Sequence, residues 1–316
     1  MACFVEGCQI AGQDRGRRRT DAGEEPPHLG QQHRLGGSGE ELAQIFPLSK
    51  LGGLVTKSIT QKPRLGHKVP RTAETASGML NAIGLANVGI EAFITDKIPF
   101  LERQKTKIIV NVAGATINEY VEVSARLADF ERVDMHEINI SCPNVDEGGL
   151  EFGQSPVLTE KCIAAVRKVF PRPIIAKLAP NVTDITQIAN AAHQGGADAF
   201  SVINSLVGTS IDTDTWRPRL TNNRGGLTGP AIKPIALAMV DKVYTACKLP
   251  IIGIGGITDY RDVIEFLLVG ATAVQVGTAL FVQPDAPVRI VDGLKEYMKQ
   301  RKLSNMTDLI GKVKKY

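Results

Sequence analysis

Between residues 50 and 280 seven short apolar runs recur, and helical periodicity fills the stretches between them. The runs are GLVTKS (53–58), KIIVNVAG (107–114), MHEINIS (135–141), PIIAKLAP (173–180), AFSVINS (199–205), PIIGIGG (250–256) and AVQVGTA (273–279). They are rich in β-branched residues and do not alternate with polar ones, as strands covered on both faces require. Between them Tyr120, Val123, Leu127 and Phe130 fall on one helical face. Ile185, Ile188, Ala189 and Ala192 do the same, with Thr183 or Asp184 as the N-cap. Strands that alternate with helices make βαβ units and a parallel sheet.

Such a sheet stays open or closes. Polar or glycine residues stand toward the C-terminal end of every run: Lys57, Asn111, Asn139, Lys177, Asn204, Gly255 and Gly277. An open sheet carries such residues only near its switch point. A full ring of them feeding one site favours a (β/α)8 TIM barrel, and 316 residues suffice for one. The eighth strand is the difficulty. Residues 11–39 contain no apolar run and are rich in Gly, Arg, Gln and Pro, so residues 1–36 read as an atypical, disordered N-terminal segment. The expectation is therefore a barrel domain over 37–316 whose first strand is atypical or missing.

Composition excludes several other classes. The net charge of +4 is mild, and aromatic residues make up only 5%, which argues against a nucleic-acid surface. The basic-looking stretch 13–34 holds five Arg against four acids, an excess of one. The five cysteines, at 3, 8, 142, 162 and 247, are odd in number and form no CxxC pair. This points to a reducing, cytoplasmic compartment with no disulfide framework and no metal site. The stretch Phe266–Val282 is uncharged, but it contains Gln275 and two glycines. It reads as a helix followed by a strand and not as a membrane span.

Three segments carry chemistry. NISCPNVDEGGLEFG, Asn139 to Gly153, leaves a strand end for a glycine-bearing loop. Cys142 lies in that loop, at the catalytic end of a barrel strand. Cys162 and Cys247, on helical patterns, read as buried structural thiols. GMLNAIGLANVG, Gly78 to Gly89, offers Asn81 and the backbone of Ala82, Ile83, Gly84 and Leu85 to a flat polar heterocycle. GIGG (253–256) and QVGTA (275–279) occupy the two last βα turns, where barrels commonly cradle a phosphate on backbone N–H groups.

From Gly37 to Tyr297 the chain resembles the dihydroorotate dehydrogenase family in its class I, NAD-linked heteromeric form. The resemblance rests on LGGLVTKSITQKPR, ETASGMLNAIGLANVG, VNVAG, NISCPNVDEGG, KLAPNVTDI, SVINSLVG, GGLTGPAIKP, IIGIGGI and AVQVGTALF, in that order. It implies FMN at the barrel mouth and oxidation of dihydroorotate to orotate in de novo pyrimidine (UMP) biosynthesis. It makes Cys142 the general base. It places Lys57, Asn81, Ala82, Ile83, Gly84, Leu85, Asn139, Asn204 and Ser205 against the substrate. Lys57, Ser58, Asn111, Asn139, Lys177, Ile203, Gly229, Gly255, Gly256, Gly277 and Thr278 would hold the cofactor. It further implies a partner subunit carrying FAD and a 2Fe–2S cluster, two of each subunit in a heterotetramer, with NAD as final acceptor and no membrane or nucleic-acid partner.

Neutral amides suit a ring of alternating N–H and C=O groups. Lys177 suits a place where negative charge develops. The departure lies at the N-terminus. The family's Ala-Ser-Gly-Thr-Phe-Gly-like turn is replaced by QQHRLGGSGEEL, a switch that resembles a shifted reading frame. His33 falls where the family has a flavin-contacting Ser, so that contact is not carried over. Other readings remain open: a flavin-poor or inactive barrel with a degraded first strand, a homodimeric fumarate-using form, or another phosphate-binding barrel enzyme with a loop cysteine nucleophile.

Overall fold

The computed structural model describes residues 3–6, 37–141, 143–144 and 150–316. Eight parallel strands close into a barrel: β1 (Cys3–Glu6), β2 (Gly53–Val55), β3 (Lys107–Val112), β4 (Met135–Asn139), β5 (Ile174–Leu178), β6 (Ala199–Val202), β7 (Ile251–Ile254) and β8 (Ala273–Val276). Seven of them lie where the apolar runs predict. Each run reaches two or three residues past its ladder, because the chain bends out of the sheet there and its last residues enter the mouth.

β1 corrects the expectation of a missing first strand. Its backbone lies between β8 and β2, with Phe4 opposite both Gln275 and Gly53 and Val5 opposite Val276 and Leu54. A sheet edge left unpaired exposes a row of backbone donors and acceptors, and closure abolishes it. Four residues are enough for that, and they leave almost no periodicity to read.

The helices cover the outside. α1 (Ile117–Ala128) buries Tyr120, Val123 and Leu127 and is capped by Thr116, whose side chain accepts from Glu119 N–H. α2 (Pro156–Arg167) buries Cys162. α3 (Ile185–Gln194) is capped by Asp184, which accepts from Thr186 N–H at 3.0 Å and resolves the choice between Thr183 and Asp184. α4 (Lys233–Ala246), α5 (Tyr260–Leu268) and α6 (Ala286–Arg301) complete the shell. Cys247 is buried just past α4, so both structural thiols sit in the core. The uncharged stretch Phe266–Val282 divides into the end of α5, β8 and a short helix over Ala279–Val282. No helix among the described residues is long and apolar enough to cross a membrane.

Strand alternation sorts side chains into an outer core against the helices and an inner stack. The floor of the stack is apolar: Val55, Ile109, Ile175, Ile252 and Ala273 pack together, with Met135 and Ala199 against them. Two residues further along their strands stand Asn111, Glu137, Lys177, Ser201 and Gln275, all buried.

His136 points the other way from β4. It is fully buried and stacks on Phe170 with centroids 3.4 Å apart, and the Arg172 guanidinium lies over the far ring. Burial, and secondarily the Arg172 charge, holds its pKa well below the usual 6.5. The unfolded chain therefore takes up a proton below pH 6.5 that the folded chain refuses. Stability is expected to be undiminished above that pH and to fall below it, by up to about 1.4 kcal/mol per pH unit. Urea midpoints at pH 7 and pH 5.5 check this, and His136→Phe should flatten the acid limb.

Candidate functional site

The site forms where the strand ends rise above the polar layer. β4 ends in Asn139, and α1 anchors that end through a hydrogen bond from the Tyr120 hydroxyl to the Asn139 carbonyl at 2.6 Å. Asn139 Oδ1 accepts from Asn204 Nδ2 at 3.3 Å and from Ser141 N–H at 3.3 Å, and its Nδ2 reaches Ser58 Oγ at 3.5 Å. Asn204 also donates to Ser141 Oγ at 2.9 Å and braces Ser205 N–H through its Oδ1 at 2.8 Å. Ser58, Asn139, Asn204 and Ser205, from three strand ends, thus form one connected amide and hydroxyl cluster. Lys57 enters beside it, its N–H donating to the Gly37 carbonyl at 2.8 Å. The buried Gly37–Ser38–Gly39 turn therefore lies at the mouth.

Beneath the cluster, Asn111 Nδ2 donates to Glu137 Oε1 at 2.6 Å, and Lys177 Nζ stands 3.5 Å from the same oxygen. Ser201 Oγ donates to Glu137 Oε2 at 2.5 Å. Among the described residues Asn111 Oδ1 and both polar atoms of Gln275 are buried without a hydrogen-bond partner. Buried polar groups are nearly always satisfied, so a polar ligand above this layer would meet groups that need partners.

A four-stranded antiparallel sheet covers one side of the mouth, in the order Leu206–Gly208, Gly225–Thr228, Gly78–Asn81, Thr72–Thr75. Asn81 Nδ2 donates to the Gly226 carbonyl at 3.2 Å, and a Cβ on Gly226 would lie 2.0 Å from Ser205 Oγ. In the turn after Asn81 the carbonyls of Ala82, Ile83 and Leu85 already face His67 or Asn87. Each of those carbonyls has one of its two acceptor positions taken within the loop. Gly84 (φ +72°) packs on the His67 backbone, and Leu85 is left-handed too.

The glycine turns also converge. A Cβ on Gly229 would stand 2.8 Å from Gly78 Cα and 3.5 Å from Thr278 Cγ2. One on Gly256 would stand 2.9 Å from the Gly229 carbonyl and 2.7 Å from Lys233 Cβ, at φ +70°. Gly229, Gly256 and Thr278 therefore belong to one wall, with Gly255 and Gly277 beside them in the chain. Lys233 in turn pairs with Asp262 at 2.7 Å, and Asp262 also accepts from Thr258 and Asp259. Burial pushes the Asp262 carboxyl up, but the hydrogen bonds from Lys233 and Thr258 hold it below its ordinary range. Gly256→Ala is expected to lower the melting temperature, because its Cβ meets the chain's own backbone at a left-handed φ. Thermal melts of the two proteins check this.

Cys142 lies outside the described residues, as does His33. Its neighbours are described: Ser141 belongs to the amide cluster, and Pro143–Asn144 pairs antiparallel with Leu150–Glu151.

The dihydroorotate dehydrogenase family model matches residues 34–298. The catalytic subunit of dihydroorotate dehydrogenase B (NAD+) from Alkaliphilus oremlandii is 50% identical over 277 residues, 88% of this chain and 91% of that protein. Its namesake from Pelobacter propionicus is 50% identical over 275 residues, 87% and 90% of the two chains. The chain belongs to the dihydroorotate dehydrogenase family. A crystal structure of the Eimeria tenella dihydroorotate dehydrogenase in complex with ferulenol shares the fold, with a TM-score of 0.70 at 24% identity over 84% of this chain and 79% of that one.

Within this dihydroorotate dehydrogenase fold, four residues of the site are not marked individually by the sequence. Glu137 and Ser201 read as parts of apolar runs, and Gln275 as the start of the QVGTA turn. Asn181 is the fourth: it donates to the Ser205 carbonyl at 3.1 Å and accepts from Val207 N–H at 3.0 Å. A lone acid or amide inside a β-run is the one available hint, since such a residue needs a buried partner.

Proposed function

We propose that this chain oxidises dihydroorotate to orotate, with FMN at the barrel mouth, in de novo pyrimidine biosynthesis. Family membership carries the reading, and the amide cluster above the Asn111–Glu137–Lys177 layer supports it. The donors are mostly neutral amides and hydroxyls, which match a planar ring of alternating N–H and C=O groups. When bound, FMN supplies the acceptor for the hydrogen that leaves C6 of the substrate with its electron pair.

The chain's own residues do the rest. Cys142 takes the proton from C5 onto its sulfur. Lys57, Asn139, Asn204 and Ser205 hold and orient the ring, with the segment Asn81 to Leu85 closing over it. Ser58, Asn111, Lys177 and Ile203 line the cofactor, and Gly229, Gly255, Gly256, Gly277 and Thr278 hold its phosphate end. Glycine permits close backbone approach to such an anion.

The names of the relatives, a catalytic subunit and NAD(+), support a partner subunit that takes the electrons onward. In this reading that subunit carries FAD and a 2Fe–2S cluster, two copies of each subunit assemble, and the complex works in the cytoplasm. The test is direct. Purified protein should be yellow, and anaerobic dihydroorotate should bleach its flavin absorbance. Protein that binds FMN but is not bleached overturns the substrate, and turnover with fumarate in place of the partner and NAD overturns the acceptor.

A further inference from the structure

Glu137 has no role in the reading above, yet it sits at the centre of the barrel. It is fully buried and points inward from β4, two residues before Asn139. Its carboxylate gathers side chains from three other strands: Asn111 from β3, Lys177 from β5 and Ser201 from β6. Removing a carboxylate and an ammonium from water is costly, and apolar side chains of similar volume often replace such a pair without loss of stability. The floor just below is built that way, from Val55, Ile109, Ile175, Ile252 and Ala273. A barrel that fills one layer with aliphatic side chains has no packing need for an ion pair in the next. Two of the groups that Glu137 holds, Asn111 and Lys177, are proposed to line the flavin.

We infer that Glu137 is a positioning residue that fixes Asn111 and Lys177 beneath the flavin ring and, by balancing the Lys177 charge, sets the potential at which bound FMN accepts electrons. The inference rests on the FMN reading. Lys177 favours the negative charge that the ring gains on reduction. Glu137 tempers that effect, because an opposite charge this close in a low-dielectric interior acts strongly on its partner.

The test is the midpoint potential of bound FMN, measured by anaerobic dye equilibration in wild type, Glu137→Gln, Lys177→Met and the double variant. Glu137→Gln keeps the shape and removes the charge, so the potential should rise. Lys177→Met should lower it. In the Lys177→Met background, Glu137→Gln should lose most of its effect, because it acts through the lysine. Glu137→Asp keeps the charge but withdraws it by one methylene from both partners, and it should shift the potential in the same direction by less. That variant decides the matter should Glu137→Gln fail to accumulate.

A wild-type potential in the Glu137 variants, with only the melting temperature of flavin-free protein lowered, would overturn the inference and leave Glu137 a structural residue. An equal rise with and without Lys177 would also overturn it, since the carboxylate would then act on the ring directly. A wild-type protein that takes up no FMN overturns the FMN reading and this inference together. A flavin-loaded protein whose potential does not move overturns this inference alone.

Discussion

Cys142→Ser is expected to retain FMN yet slow its reduction by dihydroorotate by ~10²–10⁴-fold, the usual cost of losing a general base. Serine preserves the size of the side chain, but its hydroxyl is a far poorer proton acceptor than a thiolate. An ordinary thiol has a pKa near ~8.5, so the wild-type rate should rise toward mildly alkaline pH. Anaerobic stopped flow at saturating dihydroorotate measures the step directly. Cys162→Ser is the control: that thiol lies on the buried face of α2 and belongs to the core. If Cys142→Ser reduces the flavin at the wild-type rate, Cys142 is not the base.

The second large effect is expected at β1. Phe4 and Val5 pair on both sides, while Cys3 pairs with β8 and Glu6 with β2. Val5→Pro removes a backbone donor from a strand flanked on both edges, a position from which proline is normally excluded. Removing residues 1–6 opens the barrel altogether and leaves β8 and β2 with unpaired edges. We expect the truncation to lose at least ~4 kcal/mol, roughly 10 °C in melting temperature for a chain of this size, or to leave the soluble fraction. A truncated protein that melts with the full-length one would show that the barrel does not depend on this strand.

β1 also marks the limit of what the sequence could reveal. The other seven strands were legible because each belongs to a short, largely apolar run between helical stretches, a pattern that survives without any knowledge of partners. CFVE is too short for a pattern, and it stands just before a polar stretch that reads as disorder. Its assignment comes from the two neighbours it pairs with, β8 and β2, which lie elsewhere in the chain. The site divides in the same way. Lys57, Asn139, Lys177 and Asn204 could be read from their places at strand ends. Glu137 could not, because the meaning of a carboxylate in a β-run lies in Asn111, Lys177 and Ser201, which share no spacing with it. Asn181 is similar, since its partners Ser205 and Val207 belong to the next βα unit. Helix caps fall between these cases: Thr183 and Asp184 are both competent caps, and only the backbone chose Asp184.

The small sheet at the mouth joins a segment that follows β2 to one that follows β6, and its bond between Asn81 and Gly226 spans 145 residues of chain. Neither half of the barrel can make that sheet alone. Closing so long a loop is entropically costly and comes late in folding, after the local βα units have formed. The covering over the candidate site is therefore an end-point of assembly. Partly folded chains would carry most of the inner stack yet offer a ligand no closed pocket, so the onset of tight ligand retention during refolding should report completion of the whole barrel.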